Sequence, residues 1–187
     1  STNLKAWYPM TEGNPESPQT TIYDGSPKVL GSELFTDGDM ELEGKTNWDD
    51  ATTNEAKTFD KSTAYAYAGS RSLNVVRATG DSEGAFAQGV TTVSGKVYKF
   101  TGYVYSVSGA MTPSWHSSAG SIGTIYGAEV GTVGEWVSFT EYFTATAATM
   151  YVGGWLSGST NLYFDNLSLK EVQMGNHATS TFYGDEL

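Results

Sequence analysis

At 187 residues, the chain is long enough for one domain with a sizeable core and some extra segments. Ten basic against twenty-one acidic side chains give a formal charge of −11, which repels phosphate backbones, argues against nucleic-acid binding and is compatible with divalent cations. Cysteine is absent, which excludes disulfides, thiolate chemistry and zinc–thiolate sites, and no apolar run reaches the roughly 18 residues a membrane-spanning helix needs.

Residues 1–32 hold four of the five prolines, Pro9, Pro15, Pro18 and Pro27, among polar residues with little period, and read as an extended arm. Leu4, Trp7, Tyr8, Met10, Ile22 and Tyr23 are too apolar for a solvated linker, so the arm is expected to dock on its own domain or on a neighbouring subunit. A turn at Asp37-Gly38 then leads into acids at alternate positions, Asp39, Glu41 and Glu43, with Trp48 following. This is not an EF-hand, because Leu42 stands where that loop needs glycine.

From Ser72 the pattern is that of short strands rich in β-branched and aromatic residues. Ser72 to Ala78 and Ala85 to Val93 flank the turn cluster Gly80-Asp81-Ser82-Glu83-Gly84. Val97 to Val107 sets Tyr98, Phe100 and Val104 on a core parity against Lys99, Thr101, Tyr103 and Tyr105 on a solvated one. Residues 108–131 are glycine- and serine-rich around Trp115, His116 and Tyr126, which predicts one or two short strands with exposed loops. Trp136 to Phe143 alternates again, and Met150 to Leu156 opposes Met150, Val152 and Leu156 to Tyr151 and Trp155.

Asn161 to Leu169 reads as the closing strand, with Tyr163, Leu167 and Leu169 on its buried face and Asn166 and Ser168 on the other. Asp165 falls in the apolar register, where a carboxylate is costly, so either a bulge turns it outward or something positive meets it. Residues 173–187 lack a period but carry Phe182 and Tyr183, as a second docking arm would. The fold class predicted is an all-β antiparallel sandwich over 33–172 between the two arms.

Five pieces in order resemble the carbohydrate-binding modules of families four and nine. They are the acidic string from Glu33 to Glu41, Gly69-Ser70-Arg71-Ser72-Leu73-Asn74-Val75, Gly95-Lys96-Val97-Tyr98-Lys99-Phe100, Gly134-Glu135-Trp136 leading to Phe143-Thr144-Ala145, and Phe164-Asp165-Asn166-Leu167-Ser168-Leu169. The resemblance implies a jelly-roll sandwich and assigns Trp136 as a packing residue. It also implies a structural calcium between first and last strands, held by Glu41 and Asp165 with Asp39 and carbonyls near Ser70. A hard cation would resolve the placement of Asp165; the alternative is that these acids are solvated or capped by backbone amides.

A glycan-binding face is expected from Tyr103, Tyr105, Tyr151 and Trp155, joined by Trp48 and Trp115 from loops, because pyranose C–H faces stack on aromatic rings. Rings covered by a partner, or turned into the core by a bulge, are the other reading. The histidines His116 and His177 lie in Ser/Thr-rich stretches with neither a nucleophile elbow nor a zinc-binding string, so no enzyme is expected. Leu4-Lys5-Ala6-Trp7-Tyr8-Pro9-Met10 is similar to the opening of laminin-G-like repeats in tailed-phage structural proteins. The expected role is therefore an extracellular or virion-surface protein that assembles with copies of itself or neighbouring structural subunits through its arms, and touches glycans. The alternative is a targeting module of a secreted polysaccharide-degrading enzyme.

Overall fold

The computed structural model describes residues 21–22, 29–50, 58–77, 83–119, 127–173 and 178–179. The strands are β1 (Thr21–Ile22), β2 (Val29–Glu33), β3 (Asp49–Asp50), β4 (Thr58–Ser62), β5 (Ser72–Arg77), β6 (Glu83–Thr91), β7 (Val97–Ser108), β8 (Met111–His116), β9 (Trp136–Thr144), β10 (Thr149–Ser157), β11 (Thr160–Gln173) and β12 (Ala178–Thr179). One sheet runs β4-β5-β11-β7-β9, with β2 also pairing β11; the other runs β3-β6-β10-β8.

Two compact units are present, Ser32–Glu171 and a second built from Ser1–Gly31 with Val172–Leu187. Within the second, β1 and β12 form an antiparallel pair with Thr21 opposite Thr179. Of the two predicted arms, residues 29–32 fall in β2 and Gln173 ends β11, while the remainder beyond β1 and β12, including Trp7, Tyr8, Phe182 and Tyr183, lies outside the described residues, as do Asp81, Ser82 and Tyr126.

The core of Ser32–Glu171 lies between the two sheets, and strand alternation selects its members. Phe100 and Val104 of β7, Leu73 and Val75 of β5, and Phe139 and Phe143 of β9 meet Phe86 and Val90 of β6 and Met150, Val152 and Leu156 of β10. Each such side chain contributes about 1.5–3 kcal/mol of burial, so the alternation of these strands fixes which face is outward.

The closing strand departs from the simple alternation. Leu162 and Phe164 face the core, yet so do Leu167 and Leu169, because the register shifts between Asp165 and Ser168. Asp165 opposes Tyr103 and Ser168 opposes Thr101, so two residues of β11 stand against Gly102 alone, a β-bulge with Asn166 at φ 49°. Gly102 is needed there, since a Cβ would come within 2.3 Å of the Leu167 side chain. The bulge therefore puts Tyr163 on the outer face, not with Leu167 and Leu169 as the unbroken period predicts.

Candidate functional site

The outer face of the larger sheet carries a row of side chains across five strands. Asp60 of β4 pairs with Asn74 of β5, Asn74 with Tyr163 of β11, Tyr163 with Tyr105 of β7, and Tyr105 with Trp136 of β9. A second row continues from Asp165 through Tyr103 to Ser138, and a third from Ser168 through Thr101 to Thr140. Asn74 is fixed by donating from Nδ2 to Asn161 Oδ1 at 2.9 Å and to the Leu162 carbonyl at 3.0 Å.

Residues 63–71 connect β4 to β5 and cover this face with two tyrosines. Tyr67 stacks on Tyr103 with ring centroids 3.6 Å apart and planes 15° apart, and Tyr65 stacks on Tyr105 at 4.3 Å and 22°. Trp136 meets Tyr67 at 5.7 Å and Tyr105 at 5.6 Å, while Tyr163 meets Tyr65 edge-on at 4.8 Å. Six rings form one cluster, and Tyr65 and Tyr67 remain 38% and 44% exposed above it. The Tyr103 phenol raises the pKa of Tyr67 through a hydrogen bond, with burial adding to it, and burial followed by Tyr65 does the same for Tyr105. The phenols thus stay neutral hydroxyls, able to donate and accept.

Two carboxylates hold this loop. Asp165 Oδ2 accepts the N–H groups of Tyr67 at 2.8 Å and Ala68 at 3.1 Å, and its Oδ1 accepts that of Asn166 at 2.7 Å. Glu41 Oε1 accepts those of Ser70 at 2.8 Å and Arg71 at 3.0 Å. Gly69 sits between them at φ 65°, where a Cβ would strike the Glu41 carboxylate. Ser72 Oγ donates to the Tyr65 carbonyl at the loop's far end. The N–H groups of Ser70 and Arg71 hold the Glu41 pKa low, with the charges of Arg71 and Lys61 adding to them. Burial raises that of Asp165, against the pull of its three N–H donors.

This donor set does not fit calcium, which takes about six to eight oxygens. The groups facing Asp165 and Glu41 are N–H donors, and among the described residues no three acidic or histidine side chains gather to hold a metal. Asp39 instead lines an open groove of about 460 Å³ with Glu33, Asn166, Ser168 and Lys170. The bulge resolves Asp165 by turning it under the loop, where backbone amides cap it.

The expected aromatic residues do not converge on one surface. Tyr103 and Tyr105 lie on the outer face of the larger sheet, but Tyr67 and Tyr65 cover them. Tyr151 and Trp155 lie on the outer face of the smaller sheet, opposite Gly89 and Ala85 of β6, and the buried Trp155 indole N–H has no acceptor among the described residues. Trp115 belongs to β8 and not to a loop; it packs against the core, stacked on Phe143 at 4.8 Å. Trp48 is only 1% exposed, wedged between Phe35 and Phe86 with its indole N–H donated to the Asp37 carbonyl, so it is a core residue. Trp136 shows the opposite correction, since its pairing with Tyr105 puts it in the outer cluster and not among packing residues. His116 is likewise in β8, buried.

The pattern missed Tyr65 and Tyr67, although Ala64-Tyr65-Ala66-Tyr67-Ala68 carries a signal. Two large rings alternate with methyl groups just before a glycine turn, as in an extended segment laying both rings on one surface.

No protein family matches the sequence, and no curated protein is similar to it in sequence. Solved structures do share its fold, a jelly-roll sandwich. The enzymatically active domain of tailspike protein 4 from bacteriophage CBA120 superposes with a TM-score of 0.60 at 12% identity, over 75% of this chain and 21% of that one. The CBM22-1 xylan-binding domain from Paenibacillus barcinonensis gives 0.57 at 14% identity, over 78% of this chain and 96% of the module. A CBM4 module gives 0.54 at 14% identity, covering 73% and 99%.

Proposed function

We propose that the outer face of the larger sheet binds a glycan chain, and that the protein is a non-catalytic carbohydrate-binding sandwich at an extracellular or virion surface. The observation that carries this reading is the six-ring cluster of Tyr65, Tyr67, Tyr103, Tyr105, Trp136 and Tyr163 on a solvent-facing sheet. Exposed rings held by stacking offer apolar surface to pyranose C–H faces at low entropic cost. Ser138, Thr140 and Asp60 on the same face offer hydrogen bonds to hydroxyls. Asp165 lies beneath the rings with both oxygens taken by N–H groups, so it is poorly placed for general acid chemistry.

The xylan-binding module of similar fold supports a polysaccharide ligand, and the tailspike domain supports a virion setting, in which segments around β1 and β12 serve assembly with like or neighbouring subunits. The near-complete overlap with a xylan-binding domain of Xyn10C favours the second reading, a targeting module of a polysaccharide-degrading enzyme. Retardation of the full chain in gels containing xylans, β-glucans, galactans or bacterial surface polysaccharides tests the binding claim. Retardation by at least one polymer, lost in Trp136→Ala, is expected; retardation unchanged in that variant contradicts the assignment.

A further inference from the structure

Lys61 of β4 pairs with Leu73 of β5, a core residue, so its register sends the side chain between the sheets and not to solvent. A lone ammonium there is costly. It meets Asp37, whose backbone is in the left-handed region at φ 60° and whose carbonyl accepts the Trp48 indole. The two side chains are 4% and 1% exposed, and Nζ stands 2.5 Å from Oδ2. That is shorter than the roughly 2.7–2.9 Å of an ordinary N–H···O contact between charged groups. Asp37 Oδ1 is taken separately, by the Leu42 N–H at 2.9 Å.

We infer that Lys61 and Asp37 are joined by an intramolecular amide bond which the folded chain forms on itself. With the two side chains 4% and 1% exposed, the step begins as a proton passes from Nζ to Oδ2. Nζ attacks Cγ, and the Leu42 N–H, already on Oδ1, stabilises the negative charge that develops there, as an oxyanion-hole donor does. The Nζ–Cγ bond forms and the Cγ–Oδ2 bond breaks. Oδ2 leaves as water, carrying the two protons Nζ gives up, and nothing is oxidised or reduced. The product replaces two buried charges by one neutral amide, which removes their desolvation cost. It also ties the turn before the acidic string to the edge strand β4, in a chain that has no cysteine for a disulfide.

The test is the intact mass of the denatured full chain, followed by protease digestion. The expected mass is one water below that of the sequence, with residues 37 and 61 recovered in one branched peptide, and the full sequence mass is expected for Lys61→Arg. A wild-type chain at full mass, with Lys61 open to an amine-specific label after denaturation, overturns the inference. So does a water loss that persists in Lys61→Arg with separate peptides, because that is a succinimide at Asp37-Gly38.

Discussion

Replacing Asp165 by alanine removes the acceptor for three N–H groups at once, at 2.8, 3.1 and 2.7 Å. Tyr67 and Ala68 are exposed enough for water to take over their N–H groups, whereas Asn166, at the bulge, is half-buried and leaves an orphan. An unsatisfied buried donor costs about 1–3 kcal/mol, and each lost bond to a charged acceptor carries a net worth of similar size before rehydration offsets it. Relief of the carboxylate's own desolvation works the other way. The net expectation is a loss of about 3 kcal/mol, and at about 2–4 °C per kcal/mol for a chain of this size the melting temperature falls by about 6–12 °C. Hydrogen exchange monitored by mass spectrometry reports the loop directly: the amides of Tyr67, Ala68, Ser70 and Arg71 lose protection first. Asp165→Asn is expected to resemble alanine, since its NH₂ group would face N–H donors. A variant that melts within about 1 °C of wild type, with the loop amides as protected as before, refutes the clamp.

Trp48→Ala and Trp136→Ala should separate core from surface. The first lowers stability by about 3–5 kcal/mol in denaturant unfolding while the folded fraction still binds glycan; the second abolishes retardation and shifts stability by about 1 kcal/mol or less. Gly153→Ala is expected to cost more than about 3 kcal/mol or prevent folding, because its Cβ would come within 1.9 Å of the Phe86 carbonyl oxygen on the adjacent strand; soluble yield and unfolding midpoint decide it. Burial lowers the pKa of His116 from its ordinary 6.5, so the unfolded chain takes up the proton first. Stability therefore declines as pH falls below 6.5, and His116→Gln flattens that part of the melting profile relative to wild type.

The sandwich was legible because its strands alternate cleanly. Phe100 and Val104 against Tyr103 and Tyr105, or Met150 and Val152 against Tyr151, assign faces without further information. What alternation cannot show is which sheet a face belongs to. Strand parity alone groups Tyr103 with Tyr105 and Tyr151 with Trp155 as one surface, although they sit on the outer faces of different sheets. Trp115 reads as a loop residue because its surroundings are glycine- and serine-rich, and Trp48 because it follows the acidic string, while tertiary packing against Phe35, Phe86 and Phe143 buries or half-buries them. Asp165 is the instructive case: a charge in an apolar register pointed to a bulge, but the long-range partners at Tyr67 and Ala68 lie nearly a hundred residues earlier. The alternation in Ala64-Tyr65-Ala66-Tyr67-Ala68 puts both rings on one side of their segment, but nothing local says which surface that side meets.

Hydrogen exchange of the full chain, with and without a saturating glycan from the panel, addresses the binding surface most directly. Added protection at residues 63–71 and along Trp136 to Thr140, with the Tyr151 to Trp155 segment unchanged, is the predicted footprint. Protection confined to Tyr151 to Trp155 would contradict it and move the site to the smaller sheet.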